Sequence, residues 1–143
     1  MKYLNKKEKF NKYLESNRLV SIMNNTKWNE FRDAMIYDMP FEPPYILKTV
    51  FEEEDSPDYS DFNNDVDYMG SYDEESFVYL DYYLIEWIKV RPRYYEETGG
   101  RLVSKKVLHD AEKEFVDILD KYHIPYEHNN GQYVIRGYIR AKV

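Results

Sequence analysis

The chain has 143 residues, room for one domain, and a domain of that size can bury roughly 70% of its unfolded surface. It is 43% apolar and 33% charged with no Cys, which fits a globular fold and excludes disulfide frameworks, thiolate nucleophiles, iron–sulfur clusters and Cys-based zinc sites. The net charge of −7 has one source, since thirteen acids and no Lys or Arg lie between Thr49 and Ile88, a distribution that disfavours nucleic acid and steers a basic partner towards that region.

Residues 3 to 17 predict a polar helix on a thin stripe of Tyr3, Phe10, Tyr13 and Leu14, part of an N-terminal helical extension over residues 1–23. Asn24, Asn25 and Thr26 offer N-caps to a second helix, in which Trp28, Phe31, Ala34 and Met35 share a face until Pro40 ends it. Pro40, Pro43 and Pro44 cannot continue a helix and lead into a strand at Tyr45 to Phe51. An acidic loop follows over residues 52–75, longer than the ~12–15 residues beyond which an irregular connection is usually functional or disordered.

Aromatic and β-branched residues resume at Phe77 to Leu80 and at Ile85 to Val90, predicting two strands or one bent one, and Glu96 to Gly100 reads as a loop. Ser104 suits the N-cap of a third helix carrying Val107, Leu108, Ala111, Phe115, Ile118, Leu119 and Tyr122 at helical spacing. A short strand near Ile124 to Glu127, a turn through Asn129-Asn130-Gly131 and a strand from Gln132 to Arg140 complete the chain, with Tyr133, Ile135, Gly137 and Ile139 on one side of the last strand. The order of elements implies hairpins rather than βαβ crossovers. The expectation is therefore a single α+β domain over residues 1–143, with an antiparallel sheet of about four to five strands and helices packed on one face.

No motif nucleates an enzyme. Asp61, Asn63, Asp65 and Asp67 alternate as in a calcium loop, but Val66 stands where the sharp turn needs Gly and Tyr72 where a bidentate Glu is required. His109, His123 and His128 match no zinc spacing, and neither a phosphate-binding Gly-rich loop nor a nucleophile elbow occurs. The reading is a non-enzyme without cofactor or metal. No secretory signal or run of about 18 apolar residues is visible, which predicts a cytoplasmic location and no membrane contact.

One constellation stands out, the interleaving of acids with aromatic residues. Aromatic rings supply rigid contact area and acids pair with Arg and Lys, so Asp55, Asp58, Tyr59, Asp61, Asp65, Asp67, Tyr68, Tyr72, Asp73 and Glu74 are the candidate partner-binding residues; the alternative is a solubilising acidic loop whose tyrosines partly cover the core.

The segments Asn25-Thr26-Lys27-Trp28-Asn29-Glu30-Phe31-Arg32, Ile85-Glu86-Trp87-Ile88 and Ile135-Arg136-Gly137-Tyr138 resemble those of an uncharacterised family of small bacterial proteins with T-K-W-x-E, I-E-W and G-Y motifs. The resemblance spans about residues 24 to 140, and some proteins of this look resemble toxin-immunity proteins. It implies a small standalone cytoplasmic product and carries over no functional residue. Together these readings predict an immunity-like or antitoxin-like protein that neutralises a basic partner, such as a nuclease toxin, as a monomer or weak homodimer. The alternative is a non-enzymatic structural or regulatory module that self-associates through its sheet.

Overall fold

The computed structural model describes residues 5–50, 62, 64–74, 77, 80–100 and 102–141. The first helix, α1 (Lys6–Asn17), begins at a reciprocal cap in which Asn5 Oδ1 accepts from Glu8 N and the Glu8 carboxylate accepts from Asn5 N. Its one buried residue, Phe10, meets Tyr83 and Tyr138 edge-on at 4.8 and 5.9 Å. Strand β1 (Leu19–Ser21) leads to α2 (Asn25–Tyr37), which Asn24 caps through Lys27 N. The predicted face of Trp28, Phe31, Ala34 and Met35 is the buried one.

Four strands, β2 (Tyr45–Thr49), β3 (Ile85–Val90), β6 (Glu127–Asn129) and β7 (Gln132–Arg136), form an antiparallel sheet in the order β2-β3-β7-β6. Helix α2 and α3 (Glu112–Lys121) bury Phe31, Met35, Phe115 and Leu119 in one cluster with Ile88, Val90, Tyr133 and Ile135 of the sheet. Their alternation along β3 and β7 places these four sheet residues on one face, so the helices cover that face. The fold is α+β, as the order of elements implied. All six residues of β3 are buried, which explains why this central strand reads as a nearly continuous apolar run rather than an alternating one.

The opposite face is not apolar throughout. Register slips between Lys48 and Thr49 leave Glu86 as the extra residue of a bulge, and Glu86 pairs with Lys48, both buried. Lys89 and Gln132 are buried as well, beside Trp87 and Val134.

The sequence placed several segments differently, beginning with the N-terminal extension over residues 1–23, which is not helical throughout because Leu19–Ser21 is a strand paired with Tyr138–Arg140. The third helix does not start after Ser104: Lys105–Asp110 is a strand, β5, paired with β4 (Arg93–Thr98), and the helix starts at Glu112. Val107 and Leu108 continue the helical spacing of Ala111 and Phe115 by coincidence, yet both stay exposed on a two-stranded ribbon. The expected loop at Glu96 to Gly100 is thus mostly the end of β4. Phe77 is helical rather than extended, with Phe77 N–H donating to Glu74 O and Leu80 N–H to Phe77 O, while Val78 and Tyr79 lie outside the described residues.

The last predicted strand is two, β7 and β8 (Tyr138–Arg140), parted at Gly137, and the strand before the turn is β6 rather than Ile124 to Glu127. Strand β8 leaves the main sheet to pair with β1, Leu19 facing Arg140. At the crossing, Gly137 N–H donates to Glu86 O, and any Cβ there would fall 2.1 Å from Ile85 O. Only glycine allows the backbones to approach so closely.

Candidate binding surface

The described part of the acidic segment is an irregular strap whose fixed points can be followed in order. Phe62 is buried, and Arg91, itself buried in the turn after β3, donates from Nη1 to Phe62 O at 2.6 Å and to Asn130 O at 3.0 Å. Three residues later the Asp65 carboxylate lies between two arginines, 2.8 Å from Arg91 Nε and 3.0 and 3.1 Å from Arg93 Nε and Nη2. Val66 O then accepts from Tyr95 N–H on the outer edge of β4.

Partial burial works to raise the pKa of Asp65, but hydrogen bonds from Arg93 and Arg91 outweigh it and hold the carboxyl below its ordinary value near 3.8. A carboxyl with a lowered folded-state pKa stabilises the fold above its unfolded value and loses that contribution as pH falls through the lowered one. Urea midpoints measured from about pH 5 down to about pH 2 should therefore fall in the wild type and fall less steeply in Asp65→Asn, which starts lower at pH 5. Equal slopes in the two proteins would refute this role for Asp65.

Beyond Val66 the strap returns to the body. Gly70 N–H donates to Glu42 O at 2.9 Å, and a Cβ at Gly70 would sit 2.3 Å from Pro43 O. Tyr72 is completely buried: its hydroxyl donates to Pro43 O at 2.9 Å, and its ring lies 4.5 Å from Tyr45, 5.5 Å from Phe77 and 6.0 Å from Phe31. Arg32 Nε donates to Tyr72 O, and Tyr72 N–H to Glu42 Oε1. Burial first, then the neighbouring Tyr45 and Glu42, push the Tyr72 phenol well above its ordinary pKa, so it stays a neutral donor.

Tyr72 therefore belongs to the core, which corrects its place among the partner-binding candidates. A tyrosine surrounded by acids in sequence can still point inward when an irregular strap is anchored at intervals by its own side chains, as here at Phe62, Asp65 and Tyr72. Asp65 is likewise engaged with arginines of its own chain. What remains outward is Asp67, Tyr68, Asp73 and Glu74, together with Met69, which sequence reasoning did not single out. Tyr68 and Met69 are 51% and 53% exposed and adjacent. The only sequence signal for Met69 was its position between Tyr68 and the close-approach Gly70. Asp55, Asp58, Tyr59 and Asp61 lie outside the described residues.

The surface offers recognition chemistry: apolar anchors with carboxylates on either side, on a backbone held at both ends. The histidines are dispersed. His109 stacks on Tyr94 at 4.8 Å and meets Glu96, His128 stacks on Tyr133 at 4.4 Å, and His123 follows the end of α3 with φ of 54°. Among the described residues, no three or more His, Asp or Glu are grouped to hold a metal ion, and no helix is long and apolar enough to cross a membrane.

Residues 10–142 match the model of the Family of unknown function (DUF6678). The chain belongs to this family. No curated protein and no solved structure matches it. The DUF6678 match takes in both tryptophan segments, the strap and its Arg91 and Arg93 anchors, so the strap lies inside the family's span.

Proposed function

We propose that this DUF6678 chain is a cytoplasmic binding protein of the immunity or antitoxin kind, which neutralises a basic partner such as a nuclease toxin and performs no chemistry of its own. The observation that supports the reading is the anchored strap. Fixing Phe62, Asp65, Gly70 and Tyr72 leaves Asp67, Tyr68, Met69, Asp73 and Glu74 outward on a backbone that is already ordered. Pre-ordering removes part of the entropy cost of association, and Tyr with Met gives an adaptable apolar centre that acids surround and steer.

The test is capture on immobilised chain from the source cell at low salt, followed by a salt gradient. A basic protein retained by the wild type should be lost from a variant combining Asp67→Asn, Asp73→Asn and Glu74→Gln. Its Kd should rise at least about tenfold with Tyr68→Ala, the loss of a central aromatic anchor. Equal capture by wild type and both variants would overturn the reading.

A further inference from the structure

The ribbon of β4 and β5 carries an open edge whose polarity can be worked out. Tyr95 N–H donates to Val66 O, away from β5, so Tyr95 and the facing Leu108 form a pair that exchanges no hydrogen bonds. Inward and outward groups alternate along an antiparallel strand. Lys106, Leu108 and Asp110 consequently all turn their N–H and C=O away from β4, and all three are exposed, Leu108 by 47%. The neighbouring Val107 is 41% exposed on the other face. An open strand edge with apolar side chains is a template for another strand.

We propose that β5 pairs antiparallel with β5 of a second copy about a two-fold axis at Leu108, making a continuous sheet of β4 and β5 from each copy. The register follows from three constraints. A two-fold perpendicular to a sheet keeps each face on its own side, so a residue at the centre must oppose itself. Matching outward groups with outward groups allows a centre at any residue from 106 to 110, but centring on Val107 sets Lys106 against Leu108 and centring on His109 sets Leu108 against Asp110, each opposing a charge to an apolar side chain. Centring on Lys106 or Asp110 sets like charges face to face, whereas centring on Leu108 sets Leu108 against its own copy and Lys106 against Asp110 of the second copy, twice.

The central register forms roughly six backbone hydrogen bonds, two for each of three facing pairs. The side chains that would meet across the seam project from one face, where Lys106 and Asp110 rest against β4 in the single chain. Leu108, Lys106 and Asp110 share one face of the ribbon with Tyr95 and Arg93; Lys106 Nζ lies 4.7 Å from the Tyr95 ring centre, and Asp110 is 3.5 Å from Arg93 Nη1. Edge lysines usually repel foreign strands. Here the pattern of charges accepts its own sequence, giving a closed isologous pair rather than an open fibre.

Sedimentation equilibrium over a range of concentrations, with amide hydrogen exchange at the dimer plateau, tests the proposal. The wild type should dimerise, with the amides of Lys106, Leu108 and Asp110 becoming protected. Leu108→Lys should raise the dimer Kd at least about tenfold with unchanged circular dichroism and melting, because an exposed side chain is replaced. Lys106→Asp should weaken the dimer similarly, and adding Asp110→Lys to the same chain should restore it, which loss of fold would not do. A wild type that stays monomeric to on the order of 1 mM, the weakest association of interest, overturns the proposal. So does a dimer that Leu108→Lys leaves intact with those three amides still exchanging freely.

Discussion

Glu86→Ala should destabilise the chain by about 3–5 kcal/mol in a urea melt, while joint replacement by Lys48→Met and Glu86→Leu should bring stability back to near or above the wild-type value. The asymmetry comes from where the pair sits. The Lys48 side chain is 1% exposed, and with Glu86 gone its ammonium would keep, among the described residues, one acceptor, Thr49 O at 3.2 Å. A buried charge without its counterion carries the desolvation cost of entering the fold with little in return. Two apolar side chains of similar volume at the same bulge face no such cost. A single variant as stable as the wild type, or a double variant as unstable as the single, would show that the pair is not buried in solution.

Tyr72→Ala should cost about 3–5 kcal/mol, the range for deleting a fully buried aromatic ring, whereas Tyr72→Phe should cost about 1–3 kcal/mol by leaving the buried Pro43 carbonyl without its donor. The larger interest lies in a second readout. Tyr72 ties the strap to the core, so Tyr72→Ala should also speed exchange of the Gly70 amide, whose acceptor is Glu42 O, and weaken capture of the basic partner proposed above. Tyr68→Ala should weaken capture alone and leave the melting curve in place. Indistinguishable exchange at Gly70 in wild type and Tyr72→Ala would separate the ring from the order of the strap.

How far the sequence revealed this arrangement depends on the kind of burial each segment has. Helix α2 was legible because its apolar residues all face one core and Asn24 supplies a side-chain oxygen for the free N–H groups at its start. Strand β4 was not, because Tyr94-Tyr95-Glu96-Glu97-Thr98 belongs to a ribbon exposed along much of its length, where burial imposes no alternation. Helix α3 was found but begun too early, since Val107 and Leu108 fit the helical period without being in the helix. Within the strap, composition pointed to the outward Asp67, Tyr68, Asp73 and Glu74. It could not separate them from Asp65 and Tyr72, whose partners Arg91, Arg93 and Pro43 are supplied by other parts of the chain.

Gly137 also sets an order of events. Beyond it β8 meets β1, and in an unstructured chain joining Leu19 to Arg140 closes a loop of roughly 120 residues, at an entropy cost of about 4 kcal/mol. Two three-residue strands cannot offset that by themselves. Once β2 has met β3 and β3 has met β7, with Ile46 facing Lys89, Trp87 facing Arg136 and Gly137 N–H on Glu86 O, most of the intervening chain is already gathered and Ile22 N–H finds Gly137 O close by. The β1 and β8 ribbon is thus a clasp, fastened after the sheet has brought its two halves within reach.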